Sequence, residues 1–347
     1  MTSAGIWLAA ASAFLASVVL TYAARRLALA RGAVDLPNAR SSHASPTPRG
    51  GGVAIVLVTS TWIAILWLRG LLQGDLASAA GVGGVIVAVV GLIDDHRSLP
   101  SGVRLIAHFV AAVWAVAWLG GLPALRVGAN LVDLGWMGDA IAVLGIVWVL
   151  NLFNFMDGID GIAASEAMFV VLAGAALTGN AAGLGGFSTV AVLLGASCAG
   201  FLLWNWPPAK IFLGDVGSGY LGYMIAALCL AATRANSAAV WVWLILGAAF
   251  FADATTTLAR RFTRGESPAE AHRSHAYQWL SRRYQSHFKV TGALWVLNLL
   301  VLLPIALLAG RRPEVAGVAV LGTLALVALG CLIAGAGRPE EVADRRP

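Results

Sequence analysis

Long apolar stretches follow one another along the chain, and short polar segments separate them. A helix needs about 17 to 25 mostly apolar residues to cross a bilayer, and a shorter stretch suffices where other helices surround it. No stretch shows the alternation of apolar and polar residues that is typical of a membrane β-barrel. The pattern therefore predicts an all-α fold, a polytopic integral membrane protein of about 11 transmembrane helices. These helices are predicted at residues 5–24, 51–68, 77–93, 105–119, 139–155, 162–178, 188–203, 219–232, 238–254, 290–308 and 315–334.

Basic residues lie mostly on one side of the predicted membrane. Of the 23 Lys and Arg residues, 18 fall in the loops after the odd-numbered segments or in the C-terminal tail. Loops rich in Lys and Arg stay in the cytoplasm, so we expect the N-terminus outside and the C-terminus inside. We also expect a single transmembrane domain at residues 1–336, followed by a short cytoplasmic tail at residues 337–347.

Composition agrees with this assignment and narrows the range of partners. Hydrophobic residues make up 59% of the chain and charged residues 12%, whereas soluble domains carry roughly 25% charged residues. The net charge of +6 mostly reflects the asymmetry of the loops, so we expect no nucleic-acid partner. The three cysteines lie in separate apolar stretches without paired spacing, which favours neither a zinc site nor a disulfide framework.

Carboxylates lie at the ends of several predicted helices, where contact with lipid is costly. Asp94 and Asp95 end the third segment, and Asp215 precedes the eighth. Between them, Asn or Asp recurs every three residues at positions 151, 154, 157 and 160, which places these side chains along one face of a helical turn. Each motif alone also fits an ordinary structural role, as a solvated helix end or a helix cap.

Taken together, these residues indicate a metal-dependent phosphate site on the cytoplasmic face. Carboxylate and amide oxygens form an oxygen-only ligand set, which suits Mg²⁺, with Mn²⁺ as the alternative, rather than zinc or copper. Cations on the same face would bind phosphate, and the combination indicates phosphate transfer. The acids are Asp94, Asp95, Asp157, Asp160 and Asp215, the amides are Asn151, Asn154 and Asn205, and the cations are Arg40, Arg49, Arg97, Lys210, His272, Arg273 and His275.

In this order, the motifs resemble those of the polyprenyl-phosphate N-acetylhexosaminyl-1-phosphate transferases, of the glycosyltransferase family 4 type. The resemblance covers about residues 1–310. It depends on Asp-Asp at 94–95, Asn-x-x-Asn-Phe-x-Asp-Gly-x-Asp-Gly at 151–161, Phe-Leu-Gly-Asp-Val-Gly-Ser at 212–218 and His-x-x-His at 272–275. Segments 37–43, 46–52 and 272–278 are most similar to the O-antigen-initiating undecaprenyl-phosphate branch. One common version of the acidic motif has Lys where this chain has Ser98, so a phosphate contact there is expected from Arg97, Arg104 or elsewhere.

The resemblance implies a reaction. The enzyme would transfer N-acetylhexosamine 1-phosphate from a UDP-N-acetylhexosamine to undecaprenyl phosphate in the bilayer and release UMP. This step would initiate O-antigen, a part of lipopolysaccharide, or another cell-envelope polysaccharide, at the cytoplasmic face of the bacterial inner membrane. The sugar would be N-acetylglucosamine or a 6-deoxy relative such as N-acetylfucosamine or N-acetylquinovosamine. Direct attack or a covalent intermediate, and a monomer or a homodimer, stay open.

The resemblance also implies roles for individual residues. Asp215 would ligate Mg²⁺, and Asp157 and Asn154 would be further ligands or order its waters. Asp94 and Asp95 would engage the lipid phosphate, with Asp94 removing its proton. Asp94, Asp95, Asp157, His272 and His275 are thus the expected catalytic residues. The expected substrate contacts are Asn205 and Phe212 at the uridine, Asp160 at the nucleotide, His272, Arg273 and His275 at the diphosphate or sugar, and Arg49.

A secondary transporter is the alternative interpretation, because many spans and acids in the membrane would also suit transport. Transporters usually bind their substrates near the bilayer midplane, often between inverted repeats. Here the acids cluster at one face and no repeat is visible, which favours the transferase.

Three further polar residues have local interpretations. His108 is expected to be a hydrogen-bond donor in helix packing rather than a ligand. Asp253 either supports the site or pairs with Arg260, and His287 is interpreted as part of a solvated basic face.

Overall fold

A computed structural model of the chain describes residues 2–35, 46–179, 186–267 and 272–339. The motif at 37–43, Arg40 included, and most of the predicted tail lie outside the described residues. Two short antiparallel hairpins pair β1 (Val34–Asp35) with β2 (Thr47–Pro48), and β3 (Leu125–Val127) with β4 (Asn130–Val132). The helices are α1 (Ser3–Ala30), α2 (Gly52–Leu68), α3 (Gly74–Ala77), α4 (Gly84–His96), α5 (Ser101–Leu119), α6 (Gly135–Met156), α7 (Ile162–Thr178), α8 (Gly186–Asn205), α9 (Asp215–Ala235), α10 (Ala239–Leu246), α11 (Ala248–Thr263), α12 (Ala276–Tyr284), α13 (His287–Leu297), α14 (Leu303–Arg311) and α15 (Pro313–Ala334).

Helices cover all eleven predicted segments, and the all-α membrane fold is confirmed. A π-helical stretch, Ser78–Gly83, joins α3 and α4 into one helix, and a second, Asn298–Leu302, joins α13 and α14. Within the described residues, eight helices are long and apolar enough to cross a membrane, or nine if the bent pair α10 and α11 counts as one span. Helices α2 and α7 are apolar but only 17 residues long. The count of eleven spans and the orientation in the membrane therefore stay predictions.

The segment predicted as one straight span at 238–254 is instead two helices that bend by 69°. The break falls at Gly247, which lies between α10 and α11 with ψ near 5°. Glycine is common at such kinks because it has no side chain to fix the local backbone. After the bend, α11 contacts the start of α12.

Helix α9 lies at the centre of the molecule. In the 18-residue apolar stretch of α9, 89% of the residues are buried, compared with 17% in that of the peripheral helix α15. Small residues let the neighbouring backbones approach α9 closely. A Cβ on Gly91 of α4 would lie 2.5 Å from the carbonyl oxygen of Asp215, and a Cβ on Gly52 of α2 would lie 2.4 Å from the Cα of Gly217. This close packing fixes the start of α9 against the end of α4.

Candidate active site

Three helix ends meet at one end of the bundle and bring the predicted acids together. Asp94 and Asp95 lie in the last turn of α4, and Asp157 is the C-terminal cap of α6. Asp215 is the first residue of α9. The acidic cluster, defined here as these four carboxylates, is therefore built by elements that are distant in sequence, as their common face predicted.

Asp95 holds the start of α9. Its Oδ1 accepts a hydrogen bond from the backbone N–H of Asp215 at 3.0 Å, and its Oδ2 accepts one from Val216 at 3.1 Å. The positive end of the helix dipole stabilises a carboxylate at this position. Gly214, with φ of +77°, makes room for it, since a Cβ there would lie 2.7 Å from Asp95 Oδ2. Both oxygens of Asp95 thus fix the backbone that carries Asp215.

Asp94 pairs with Arg104 of α5. The Arg104 guanidinium donates to Asp94 Oδ2, and the backbone N–H of Leu99 donates to Asp94 Oδ1 at 2.6 Å. Arg104 Nη1 also lies 3.9 Å from Asp215 Oδ2. The Asp94 side chain is 6% exposed, whereas the Arg104 side chain is 37% exposed. Arg104 is therefore the cation between two of the acids, and it has donors left for a phosphate.

Asn154 connects α6 to α9. Its Nδ2 donates to Asp215 Oδ1 at 2.9 Å and lies 3.1 Å from Ser218 Oγ. Asn154 thus orients the Asp215 carboxylate as a hydrogen-bond donor. Asn151, one turn earlier, donates from Nδ2 to the carbonyl oxygen of Val147 in its own helix at 2.7 Å.

Among the described carboxyl groups outside the helices, that of Asp157 has the most strongly raised pKa. Burial, together with the negative charges of Asp215 and Asp95, raises its pKa to about 8. The positive charge of Arg49 acts in the opposite direction. An acid that ionises at such cost needs a proton or a cation as its partner. The acidic cluster therefore carries more negative charge than its protein surroundings neutralise.

This charge fits a divalent cation such as Mg²⁺. Among the described residues, no three His, Cys, Asp or Glu side chains are arranged to hold a metal ion by themselves. Mg²⁺ usually takes one or two protein carboxylates and completes its coordination with water and substrate phosphate oxygens. Asp215 and Asp157 could supply those carboxylates. The chemistry of the donors matches the ion, although a closed protein cage is not formed.

The segment with His272, Arg273 and His275 forms a second part of the site. Asp253 of α11, which is 3% exposed, fixes this segment where α12 begins. Its Oδ1 accepts from the backbone N–H of Ala276 at 2.9 Å, and its Oδ2 accepts from that of Tyr277 at 3.1 Å. His275 Nδ1 also lies 3.4 Å from Asp253 Oδ1.

The alternative pairing of Asp253 with Arg260 is wrong, since the guanidinium of Arg260 donates to the carbonyl oxygen of Ala336 at 2.7 Å. A backbone acceptor at the end of α15 replaces the expected carboxylate. Of the two interpretations that the sequence left open for Asp253, the structure favours support of the site.

His272 is a neutral imidazole near pH 7. Burial, with repulsion from His275 and Arg261, lowers its pKa to about 4. Its ring centroid lies 5.0 Å from that of His275, and its Nδ1 lies 2.9 Å from Ser274 Oγ. His272 can therefore donate or accept hydrogen bonds in this segment, but it adds no positive charge at neutral pH.

A groove of about 880 Å³ joins the two parts of the site. Its apolar lining comes from α5, α6 and α11, and its polar lining includes side chains from both parts of the site. The apolar lining is Leu105, Leu144, Val147, Trp148, Phe155 and Leu258, and the polar lining includes Arg104, Asn151, Asn154, His272 and His275.

A smaller cavity of about 50 Å³ is lined by Asp94 and Asp215 of the acidic cluster and by Arg104. His108 lines it too, with a buried Nδ1 that has no hydrogen-bond partner among the described residues. Sequence reasoning interpreted His108 as a packing residue. The structure places it beside the acids.

Two residues that are predicted to contact the nucleotide form hydrogen bonds within the protein in this structure. Asn205, 4% exposed, accepts from the backbone N–H of Gly161 at 3.0 Å and donates to the carbonyl oxygen of Ile211 at 2.9 Å. Asp160 Oδ2 accepts from the backbone N–H of Ala209 at 3.0 Å. These bonds fix the loop after α8 against the start of α7.

That loop also contains Phe212. Its backbone N–H donates to Pro48 at 2.8 Å, and its carbonyl accepts from Gly51 at 2.9 Å. This pairing attaches the segment that carries Arg49, whose side chain is 46% exposed. His287 lies 3.2 Å from Asp160 Oδ1 and is 16% exposed, so its interpretation as part of a solvated face is wrong.

Sequence reasoning assigned no role to Tyr277, although the residue lies in a quoted motif. Its hydroxyl donates to the carbonyl oxygen of Phe155 at 3.0 Å. A Cβ on Gly158 would lie 2.1 Å from that hydroxyl oxygen, so glycine is needed there for the approach. Tyr277 therefore connects the His272–His275 part of the site to the turn that carries Asp157.

Comparison with known proteins identifies the family of this chain. A model of Glycosyl transferase family 4 matches residues 78–233, which contain the motifs at 94–95, 151–161 and 212–218. The chain is 32% identical over 283 residues to the probable undecaprenyl-phosphate N-acetylglucosaminyl 1-phosphate transferase of Bacillus subtilis (strain 168), a match that covers 79% of this chain and 76% of the relative.

Two further relatives are also named as transferases. The decaprenyl-phosphate N-acetylglucosaminephosphotransferase of Mycolicibacterium smegmatis is 30% identical over 322 residues, covering 81% of this chain and 78% of the relative. The phospho-N-acetylmuramoyl-pentapeptide-transferase of Moorella thermoacetica is 36% identical over 157 residues, covering 41% of this chain and 49% of the relative. With the family match and the long alignment to the first relative, the resemblance in the motifs is confirmed, and the chain belongs to the polyprenyl-phosphate sugar-1-phosphate transferases of glycosyl transferase family 4.

Proposed function

We propose that this enzyme transfers N-acetylhexosamine 1-phosphate from a UDP-sugar to undecaprenyl phosphate at the cytoplasmic face of the bacterial inner membrane. An oxygen of the lipid phosphate attacks the β-phosphorus of the UDP-sugar. A new P–O bond forms there, the bond from that phosphorus to the bridging oxygen breaks, and UMP leaves. The product is a lipid-linked sugar diphosphate that begins O-antigen or another cell-envelope polysaccharide. The chain would form a single catalytic domain at residues 1–336, followed by a short tail at residues 337–347.

The groove is the observation that carries this proposal. Most of its apolar lining comes from α5 and α6, which are long enough to cross a membrane, and its polar lining includes Arg104 and Asn154. A polyprenyl phosphate needs both surfaces, because its tail stays in the bilayer while its phosphate lies at the level of the head groups. Arg104 is placed to attract that phosphate, and Asp94, which pairs with Arg104, would take its proton. Asp95 would support the same phosphate site indirectly, because it fixes the helix start that carries Asp215.

The donor nucleotide would lie beside the polar lining of the groove. Asp215, Asp157 and Asn154 would hold Mg²⁺ there. The ion would neutralise charge on the diphosphate, which matters because both reactants are anions. His272, Arg273 and His275 would contact the diphosphate or the sugar. Phe212 would stack on the uracil, with Arg49 nearby and with Asn205 and Asp160 shaping the pocket.

N-Acetylglucosamine is the sugar in the names of the long relatives, and we propose it as the first candidate here. The 6-deoxy sugars N-acetylfucosamine and N-acetylquinovosamine are the next candidates, because segments 46–52 and 272–278 resemble the O-antigen-initiating branch.

A transporter is less well supported than a transferase by the position of the acids. Asp94, Asp95, Asp157 and Asp215 lie at helix ends, whereas transporters usually bind near the middle of broken helices.

The test uses purified protein in bilayers with undecaprenyl phosphate, Mg²⁺ and one sugar-labelled UDP-sugar at a time. We expect a labelled lipid that can be extracted into organic solvent, and no product from Asp215→Asn. A matched control is Glu314→Gln, which removes an exposed acid at the start of α15 and should keep full activity. Folded wild-type protein that labels no lipid with any of the three sugars would overturn the proposal.

A further inference from the structure

The chain turns back on itself after α15. Gly335 ends the helix with φ of +109°, Ala336 is fully buried, and Gly337 has φ of +67°. Residues 335–338, which we name the C-terminal strap, therefore pack against the protein instead of extending from the helix end. They lie beside the last turns of α11 and the segment before α12.

Hydrogen bonds attach the strap on both sides. The backbone N–H of Gly337 donates to the carbonyl oxygen of Ser274 at 2.7 Å. From α11, Arg260 donates to the carbonyl oxygen of Ala336 at 2.7 Å, and Arg264 donates to that of Gly337. The strap thus connects the end of α11 to Ser274.

Glycine is required at position 337. L-residues with a side chain rarely adopt its φ. A Cβ there would also lie 2.8 Å from the Cβ of Arg260 and 3.1 Å from the carbonyl oxygen of Thr257. A side chain at this position would therefore push the strap away from α11 and weaken its bond to Ser274.

Ser274, which accepts the hydrogen bond from the strap, lies between His272 and His275 in the chain. It is 1% exposed and stands directly before His275 and two residues after His272. On the other side of His275, Asp253 binds the backbone of Ala276. Arg282 also donates to the carbonyl oxygen of Arg273 at 2.9 Å. The backbone on either side of His275 is thus held by a core carboxylate on one side and by the strap on the other.

We propose that the C-terminal strap is a positioning element for the donor substrate, which holds His272, Arg273 and His275 where the UDP-sugar binds. The proposal rests on the proposed function, in which this segment contacts the diphosphate or sugar. Gly337 and Arg260 are then positioning residues that never touch the substrate. Loss of the strap weakens UDP-sugar binding and leaves the lipid site, which lies at Asp94 and Arg104, largely unchanged.

The experiment compares two shortened chains with the full-length protein. One ends after Arg338 and keeps the strap, and the other ends after Ala334 and lacks it. We expect the first to match the full-length enzyme. For the second we expect the KM for the UDP-sugar to rise about tenfold or more, with a smaller change in the KM for undecaprenyl phosphate, since small misplacements of binding groups have effects of this size.

A point variant covers the case in which the shorter chain does not fold. Gly337→Ala should shift the KM for the UDP-sugar in the same direction. Its matched control is Gly317→Ala in α15, where a Cβ meets no atom within 4 Å. Equal changes in both KM values, or none in Gly337→Ala, would overturn the proposal.

Hydrogen–deuterium exchange separates this proposal from the proposed function. The backbone amides of the segment 272–279 should exchange faster in Gly337→Ala and in the chain that ends after Ala334 than in their controls. Unchanged exchange there would overturn the role of the strap, even in an active enzyme. If the full-length protein makes no lipid product with any UDP-sugar, the proposed function fails, and unchanged or faster exchange still decides whether the strap holds the segment.

Discussion

The two parts of the site use the same kind of hydrogen bonding at a helix start, but they differ in how deeply their supporting helices are buried. In each, a carboxylate from a neighbouring helix accepts two backbone hydrogen bonds at the start of another helix: Asp95 at α9, and Asp253 at α12. Helix α9 is the most buried of the candidate spans, and α15, which supports the second part, is the least buried. The acidic cluster is thus fixed by the core, whereas the His272–His275 segment depends on a few hydrogen bonds at the edge.

The difference separates two tasks. Phosphoryl transfer needs its charged groups held in one geometry, because electrostatic stabilisation depends on preorganisation. A segment that contacts a nucleotide sugar can be adjusted more freely, and a peripheral attachment allows this. Changes in the acidic cluster should therefore reduce turnover, whereas changes at the second part should alter binding of the donor.

The largest effect is expected from Asp215→Asn. The substitution removes the charge that would hold Mg²⁺ but keeps the backbone N–H that Asp95 accepts. We expect turnover to fall by about a hundredfold or more, with little loss of thermal stability. Steady-state assays and thermal melts in the same detergent check both points. Activity close to that of the wild type would remove Asp215 from the metal site.

Asp157→Asn should lower turnover by less than Asp215→Asn does and, without Mg²⁺, stabilise the protein. The folded pKa of about 8 lies above the unfolded value near 3.9, so the folded state keeps a proton that the unfolded chain has already lost. The favourable contribution of the acid is complete below about pH 4 and is lost as the pH rises through 8.

In EDTA, the melting temperature of Asp157→Asn should therefore exceed that of the wild type by a margin that grows from pH 5 to pH 8. A margin independent of pH would contradict the raised pKa. In the wild type, Mg²⁺ binding should release a proton near pH 7, so the apparent affinity should increase between pH 6 and pH 8.

A direct comparison of the two carboxylates that hold a helix start uses the variants Asp95→Asn and Asp253→Asn. In each variant one accepting oxygen becomes an amide donor that faces a backbone N–H, so a loss of about 1 kcal/mol of stability is expected from either. Asp95→Asn should mainly lower kcat, because it displaces the start of α9. Asp253→Asn should mainly raise the KM for the UDP-sugar. The same kinetic pattern in both variants would show that the two parts are not separable.

The smallest effect is expected from His272→Gln on the pH dependence of activity. The folded-state pKa of His272, about 4, lies below the unfolded value near 6.5, so the unfolded chain gains a proton first as the pH falls. The neutral ring supports stability above about pH 6.5, and that support is lost as the pH falls toward 4. Between pH 6.5 and 8 the activity profile of His272→Gln should have the same shape as that of the wild type. A lost ionisation in that range would mean that His272 titrates in the working enzyme.

Much of the acidic cluster could be predicted from the sequence. Charged side chains are rare in this chain, and the motifs at 94–95, 151–161 and 215 stand at the ends of apolar segments. Hydropathy therefore locates both the helices and their ends. The same pattern places these motifs on one face, and the structure brings Asp94, Asp95, Asp157 and Asp215 together.

The supporting contacts could not be predicted in this way. Hydropathy measures composition, so it cannot show that the segment at 238–254 bends by 69° at Gly247. A cap supplied by a distant helix, as Asp253 supplies at α12, has no local spacing to reveal it. Asn205 and Asp160 were expected at the nucleotide, but their hydrogen bonds to Gly161 and Ala209 are visible only in three dimensions.

The most direct test of phosphoryl transfer at the acidic cluster follows the β-phosphate of the UDP-sugar. UDP-N-acetylglucosamine labelled with ³²P in its β-phosphate is supplied with undecaprenyl phosphate and Mg²⁺ to the wild-type protein and to Asp215→Asn. We predict that the wild type moves the label into the lipid fraction and releases unlabelled UMP, and that Asp215→Asn does neither. Label that stays in the aqueous phase as UDP, or equal transfer by both proteins, would contradict phosphoryl transfer at the acidic cluster.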